Sequence, residues 1–124
     1  LTVDFFGNTY YRDFKYKLAT HNHVFSLSSS VLKNRAVGLY LSTTFSYLTK
    51  KYSFNNMLTR PLMNEESIVL PTIKNELNYD YMETYIRAIE KLVIKKLVDW
   101  KNKEKETAKE VVKAMTEQKC TALR

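Results

Sequence analysis

From Asp80 to about Met115, the apolar residues Met82, Ile86, Ile89, Val93, Leu97, Trp100, Ala108, Val111 and Met115 recur at helical spacing and share one stripe. The set also repeats at eleven residues (Met82 to Val93, Ile86 to Leu97 to Ala108, Ile89 to Trp100 to Val111), so the stripe stays nearly straight along the helix. Asp80 and Glu83 form a capping-box-like start, and no Gly or Pro follows before the C-terminus. A helix of about 36 residues spans roughly 54 Å, longer than the ~30 Å of a compact domain this size, so part of it is expected to project. Beyond Trp100 the helix is densely charged, and Glu106 and Glu110 precede Lys109 and Lys113 by three residues, as on an exposed helix. Two readings fit: a surface helix lying along its own domain, or an arm whose thin seam packs on a second helix.

Before the helix, short strand patterns mix with loops and one helical stretch. Thr2 to Phe6 reads as a strand ending in a turn at Gly7-Asn8, with a short strand over Thr9-Tyr10-Tyr11. Arg12 to Asn22 has no clean period and reads as a loop. His23 to Ser28 alternates, with Phe25 and Leu27 on one strand face and Val24 on the other. From Val31 or Asn34 to Lys51 the apolar spacing suits a helix, weakened by Gly38 and by Thr43-Thr44. Tyr52 to Asn64 reads as a polar connection containing Pro61, Ser67 to Leu70 as a short strand stopped by Pro71, and Lys74 to Asn78 as a lead into the long helix. The expected fold is therefore α+β: a small mixed domain over 1–78, a long spacer-like helix over 79–116, and a polar tail over 117–124.

Charge changes this picture. The net charge is +7, and it is uneven: residues 1–60 hold eight Lys/Arg against two acids, whereas 61–124 hold twelve basic and eleven acidic residues. The basic half also carries twelve of the sixteen Phe, Tyr and Trp residues. A basic surface interleaved with aromatics points to a polyanion, most commonly nucleic acid. Cys120 is the single cysteine, which argues against a disulfide framework and fits a reducing cytoplasm. No run of eighteen apolar residues suggests a membrane span, so no membrane partner is expected. The chain opens at Leu1, inside a strand pattern and without methionine, and reads as a fragment.

Candidate chemistry is sparse. His21-Asn22-His23 spells HNH, but in HNH nucleases those residues come from separate elements, and no Cys, Asp or Glu cluster completes a ligand set here, so no metal is expected. Asp4 and Asp13 are a poor catalytic pair, and Glu65-Glu66 lacks the following lysine of nuclease motifs. With only Gly7 and Gly38 there is no phosphate loop, and neither a cofactor nor catalysis is expected. The most suggestive segment is Tyr10 to His23. Arg12, Lys15 and Lys17, with Lys50, Lys51 and Arg60 elsewhere, can neutralise phosphates. Thr20, His21, Asn22 and His23 carry donors and acceptors suited to base edges. A solvated loop anchored by Tyr10, Phe14 and Tyr16 explains the same residues without a ligand.

Gly7-Asn8-Thr9-Tyr10-Tyr11-Arg12-Asp13-Phe14, followed by His23-Val24-Phe25-Ser26-Leu27, resembles the target recognition domains of restriction-modification specificity (S) subunits. The pattern continues through Asn34 to Tyr40, Lys51 to Phe54, Ser67-Ile68-Val69-Leu70-Pro71 and the helix start Asp80 to Ile86. The block of Leu-Pro, a short linker and Asp-x-x-Met-Glu resembles the junction between a recognition domain and the spacer helix, in type I S subunits or in type II enzymes with fused specificity domains. The resemblance implies one recognition domain, incomplete at its N-terminus, reading half of a split double-stranded DNA target. It also implies a helix that pairs with that of a second S subunit or domain, and docking to adenine methyltransferase and endonuclease subunits. The family's base-contacting positions vary with the target, so none is carried over.

The resulting expectation is a non-catalytic, sequence-specific DNA-recognition module. Its DNA contacts are assigned to Tyr10, Arg12, Lys15, Lys17, Thr20, His21, Asn22, His23, Lys50, Lys51 and Arg60. Its helix packing is assigned to Ile86, Ile89, Val93, Leu97, Trp100, Ala108 and Val111. The alternatives are an oligomerising RNA- or protein-binding module, and the recognition part of a fused methyltransferase-nuclease.

Overall fold

Residue Thr2 pairs with Tyr10 on one side and Ser26 on the other, which fixes the register of a three-stranded antiparallel sheet. Its strands are β1 (Thr2–Asp4), β2 (Thr9–Tyr10) and β3 (Val24–Ser26), in the order β2-β1-β3. The computed structural model describes residues 1–18 and 23–121, with side chains to 118. Three of the residues expected at base edges, Thr20, His21 and Asn22, lie outside the described residues. The turn after β1 is built by Asp4, whose carboxylate accepts from the amides of Phe6 and Asn8 at 2.9 Å each and from the Asn8 side-chain amide at 2.9 Å. Gly7 completes it at φ 85, a left-handed conformation, with a Cβ there only 2.6 Å from the Leu48 backbone. Asp4 is thus consumed by local structure.

Helix α1 (Arg35–Thr44) begins at Asn34, whose side chain accepts from the Val37 amide at 3.1 Å. The Thr43 and Thr44 hydroxyls donate back to the Leu39 and Tyr40 carbonyls. Such back-bonding bends helices, and here α1 tightens into a 3-10 turn over Phe45–Tyr47 before α2 (Leu48–Lys51). Gly38, which weakens the helix on propensity, sits where the Tyr11 ring packs onto α1.

Two expectations are corrected in the next segment. Part of the supposed polar connection is α3 (Arg60–Glu65), opened by a proline in its first turn, where the missing N–H costs nothing. This region also supplies core through Tyr52, Leu58 and Met63, which pack with Val3, Phe25 and Leu48. Residues 67–70 do not form a strand. Ile68 and Leu70 are half-buried while Val69 is exposed, so the alternation is real, but among the described residues no strand pairs with it. The pairing occurs after Pro71, in a hairpin of β4 (Thr72–Ile73) and β5 (Glu76–Leu77). Lys74 and Asn75 turn it with positive φ at both positions, the geometry of a tight hairpin turn.

The long helix is α4 (Tyr79–Thr121). Its cap is Asn78, whose Oδ1 accepts from the Tyr81 amide at 3.0 Å, not Asp80. Glu83 instead accepts from the Asn34 amide at 2.6 Å and from Arg87 at 3.1 Å. Residues 117–121, expected in the polar tail, are helical. Two compact units result, Leu1–Arg87 and Ala88–Arg124. Within the first, Met82 joins Leu1, Val37 and Leu41 in a second core cluster, Ile86 is buried, and Tyr40 meets the rings of Tyr81 and Tyr85 edge-on. In the second, Ile89, Leu92, Val93, Ile94, Leu97, Val98, Trp100, Val111, Val112 and Met115 are all exposed.

Candidate nucleic-acid interface

Strand pairing sorts the sheet into two faces. Val3 and Phe25 are directly paired and both buried, so their face meets the core. Tyr10, Thr2 and Ser26 are directly paired in the next row and so point the other way. The segment after β2 is tied to that outer face at two points. The Arg12 Nε donates to the Thr2 hydroxyl at 3.3 Å while its guanidinium lies 5.1 Å from the Tyr10 ring centre. The Tyr16 and Ser26 hydroxyls share a hydrogen bond at 3.0 Å, and the Phe14 ring meets Tyr16 edge-on at 6.4 Å.

This anchoring leaves a defined surface. Phe14 is 60% exposed, Tyr10 and Tyr16 are exposed, and so are Lys15 and Lys17, which have no carboxylate partner among the described residues. Three cations and three accessible rings on one segment offer a polyanion charge together with flat surfaces for sugars and bases. His23 is exposed at the start of this strand pair, with its ring 4.8 Å from Phe5 and its carbonyl accepting from the Phe5 amide.

The remaining expected cations fall in different places. Arg60 opens α3 and lines a cleft of about 180 Å³ with Ser26 and Asn64, which brings it beside the Tyr16 anchor. Lys50 is exposed on α2. Lys51 pairs with Glu66 at 2.5 Å and lies over the Tyr52 ring at 5.5 Å, so its charge is balanced within the fold.

Glu66, set aside in the sequence as a catalytic acid, accepts three hydrogen bonds, as many as Asp4. Its side chain is only 6% exposed, and it accepts from Lys51 and the Tyr52 hydroxyl at 2.5 Å each and from the Tyr47 hydroxyl at 2.8 Å. The Lys51 hydrogen bond, followed by that of Tyr52, holds the carboxyl down to about 2 against the opposing effect of burial. Tyr47 is pushed up to about 12, first by burial and then by its bond to Glu66. This cluster pins the C-terminal end of α3, and with Met63 buried beneath it α3 is a fixed platform. Its partners lie 14 to 19 residues away in sequence, so no local motif betrays it.

Among the described residues no group of three or more His, Cys, Asp or Glu could hold a metal ion. No described helix is long and apolar enough to cross a membrane. Neither a curated protein nor a solved structure matches the chain. A family model does: the type I restriction modification DNA specificity domain matches residues 3–98, which takes in the sheet, the basic aromatic segment, α3 and the first part of α4. The chain belongs to the family of type I restriction-modification DNA specificity domains.

Proposed function

We propose that this chain reads one half of a split DNA target for a restriction-modification specificity subunit, with the outer face of the three-stranded sheet against the duplex. The observation that carries this reading is the anchoring of Arg12 on Thr2 and of Tyr16 on Ser26, which leaves Lys15, Lys17 and Phe14 facing outward. Arg12, Lys15 and Lys17 make the phosphate contacts, and their affinity is salt-sensitive because each contact releases counterions. Arg60 and Lys50 extend the basic surface, and Lys51 acts mainly through Glu66. Base reading is assigned to His23, with Thr20, His21 and Asn22.

The exposed seam of α4, with Ile89, Val93, Leu97, Trp100, Ala108 and Val111, pairs with a helix of a second specificity subunit or domain. Pairing of that kind fixes the distance between two half-targets and lets the assembly dock methyltransferase and endonuclease subunits in the cytoplasm. The support is the exposure of these apolar side chains along one stripe of the helix. Competition of labelled duplex DNA by unlabelled duplex, RNA and heparin tests the choice of polyanion. Displacement by duplex at far lower nucleotide concentration than by RNA is expected, and equal displacement by all three would reduce the surface to a general polyanion binder.

A further inference from the structure

Four of the eight asparagines in the first unit are bonded within the fold. Asn8 bonds Asp4, Asn34 and Asn78 cap helices, and Asn56 donates to the Lys51 carbonyl. Asn64 differs. It is exposed, its amide has no partner among the described residues, and it lines the cleft shared with Arg60 and Ser26. Arg60 and Asn64 are four residues apart on α3, hence on one face of it.

We propose that Asn64 and Arg60 read adjacent base edges, making α3 a specificity-determining element of this domain. The inference rests on the DNA reading above and deepens it by moving Arg60 from phosphate contact to base contact. Three observations converge. The first is chemical: an Asn amide can bond adenine bidentately at N6 and N7, and an Arg guanidinium can bond guanine bidentately at O6 and N7. The second is placement: the cleft is lined by Phe25 and Ser26 of the edge strand β3 with Leu27 and Met63, and Ser26 holds Tyr16 of the basic segment. So α3 reaches a duplex gripped by that segment past the β3 edge of the sheet, not from its outer face. The third is rigidity. Base reading needs donors held by a fixed support, and α3 has Met63 in the core, Leu62 packed against it, and Glu66 tied to Lys51, Tyr47 and Tyr52 at its end.

The test is selection of duplexes from a randomised library by the full chain, in wild-type form and as Asn64→Ala, Asn64→Asp and Arg60→Ala. The expected wild-type motif contains an adenine whose preference Asn64→Ala relaxes by about 5- to 150-fold, with other positions unchanged. Asn64→Asp keeps the shape but presents only acceptors, and should move that position toward cytosine. Arg60→Ala should relax a neighbouring guanine. If the wild type selects a motif that both Asn64 variants select unaltered, the inference is overturned and the DNA reading stands. If the wild type selects no motif, the DNA reading falls and takes this inference with it.

Discussion

The ring of Tyr11 fills the space that a Cβ on Gly38 would need, so α1 meets the chain leaving β2 at the one helical position with no side chain. Gly38→Ala gains about 1 kcal/mol of helix propensity. Driving a methyl into a packed ring costs about 1–3 kcal/mol, and the steric term wins. The variant should unfold at a lower urea midpoint. Adding Tyr11→Ala should restore part of the loss, and a strictly additive double mutant would show that the two residues do not interact.

Glu66 gives the fold a defined acid limit. Its carboxyl is held down to about 2, whereas in the unfolded chain it takes up a proton near the ordinary 4.5. As pH falls below about 4.5 the unfolded state therefore binds the proton first, and stability from this group is lost progressively until about 2. Thermal melts of Glu66→Gln should show a lower melting temperature at neutral pH and a flatter profile across that window. A wild-type profile in the variant would remove Glu66 from the account of acid stability.

Neighbouring positions of one stripe on α4 should behave in opposite ways. Ile86 is 7% exposed within the first unit, so Ile86→Asp buries an unpaired charge and should prevent folding. Val93 is 59% exposed, so Val93→Asp should leave the melting temperature of the isolated chain within a degree or two, in keeping with the small effects of surface changes. Its effect should appear in association, as a smaller species in sedimentation at a concentration where the wild type self-associates or binds a partner. Unchanged association would take Val93 out of the seam.

Much of this was legible in the sequence because the governing signals are local. The long helix followed from its apolar spacing, the Gly7 turn from composition, and the inward Phe25 from strand alternation. Some of the failures come from partners distant in sequence, others from elements too short to leave a pattern. Ile68 and Leu70 alternate like a strand but find no strand to pair with, whereas the two-residue strands of the hairpin are too short for any period to register. Pro61 reads as part of a polar connection and instead opens α3. Gly38 read as a weak point in a helix and is a packing position. Of the candidate site, the cations and rings of 10–17 were legible as chemistry, but their anchoring on Thr2 and Ser26 depends on register. The engagement of Lys51 by Glu66 was invisible for the same reason.

The claim at the centre is that Lys15 and Lys17, displayed on the outer sheet face, neutralise DNA phosphates. Its most direct test is the salt dependence of duplex binding by the wild type and by the Lys15→Ala/Lys17→Ala double variant. Each lost phosphate contact lowers the slope of log K against log salt by about 0.9, so the double variant should show a slope smaller by about two, with weaker binding to every sequence. A slope equal to that of the wild type would contradict the account.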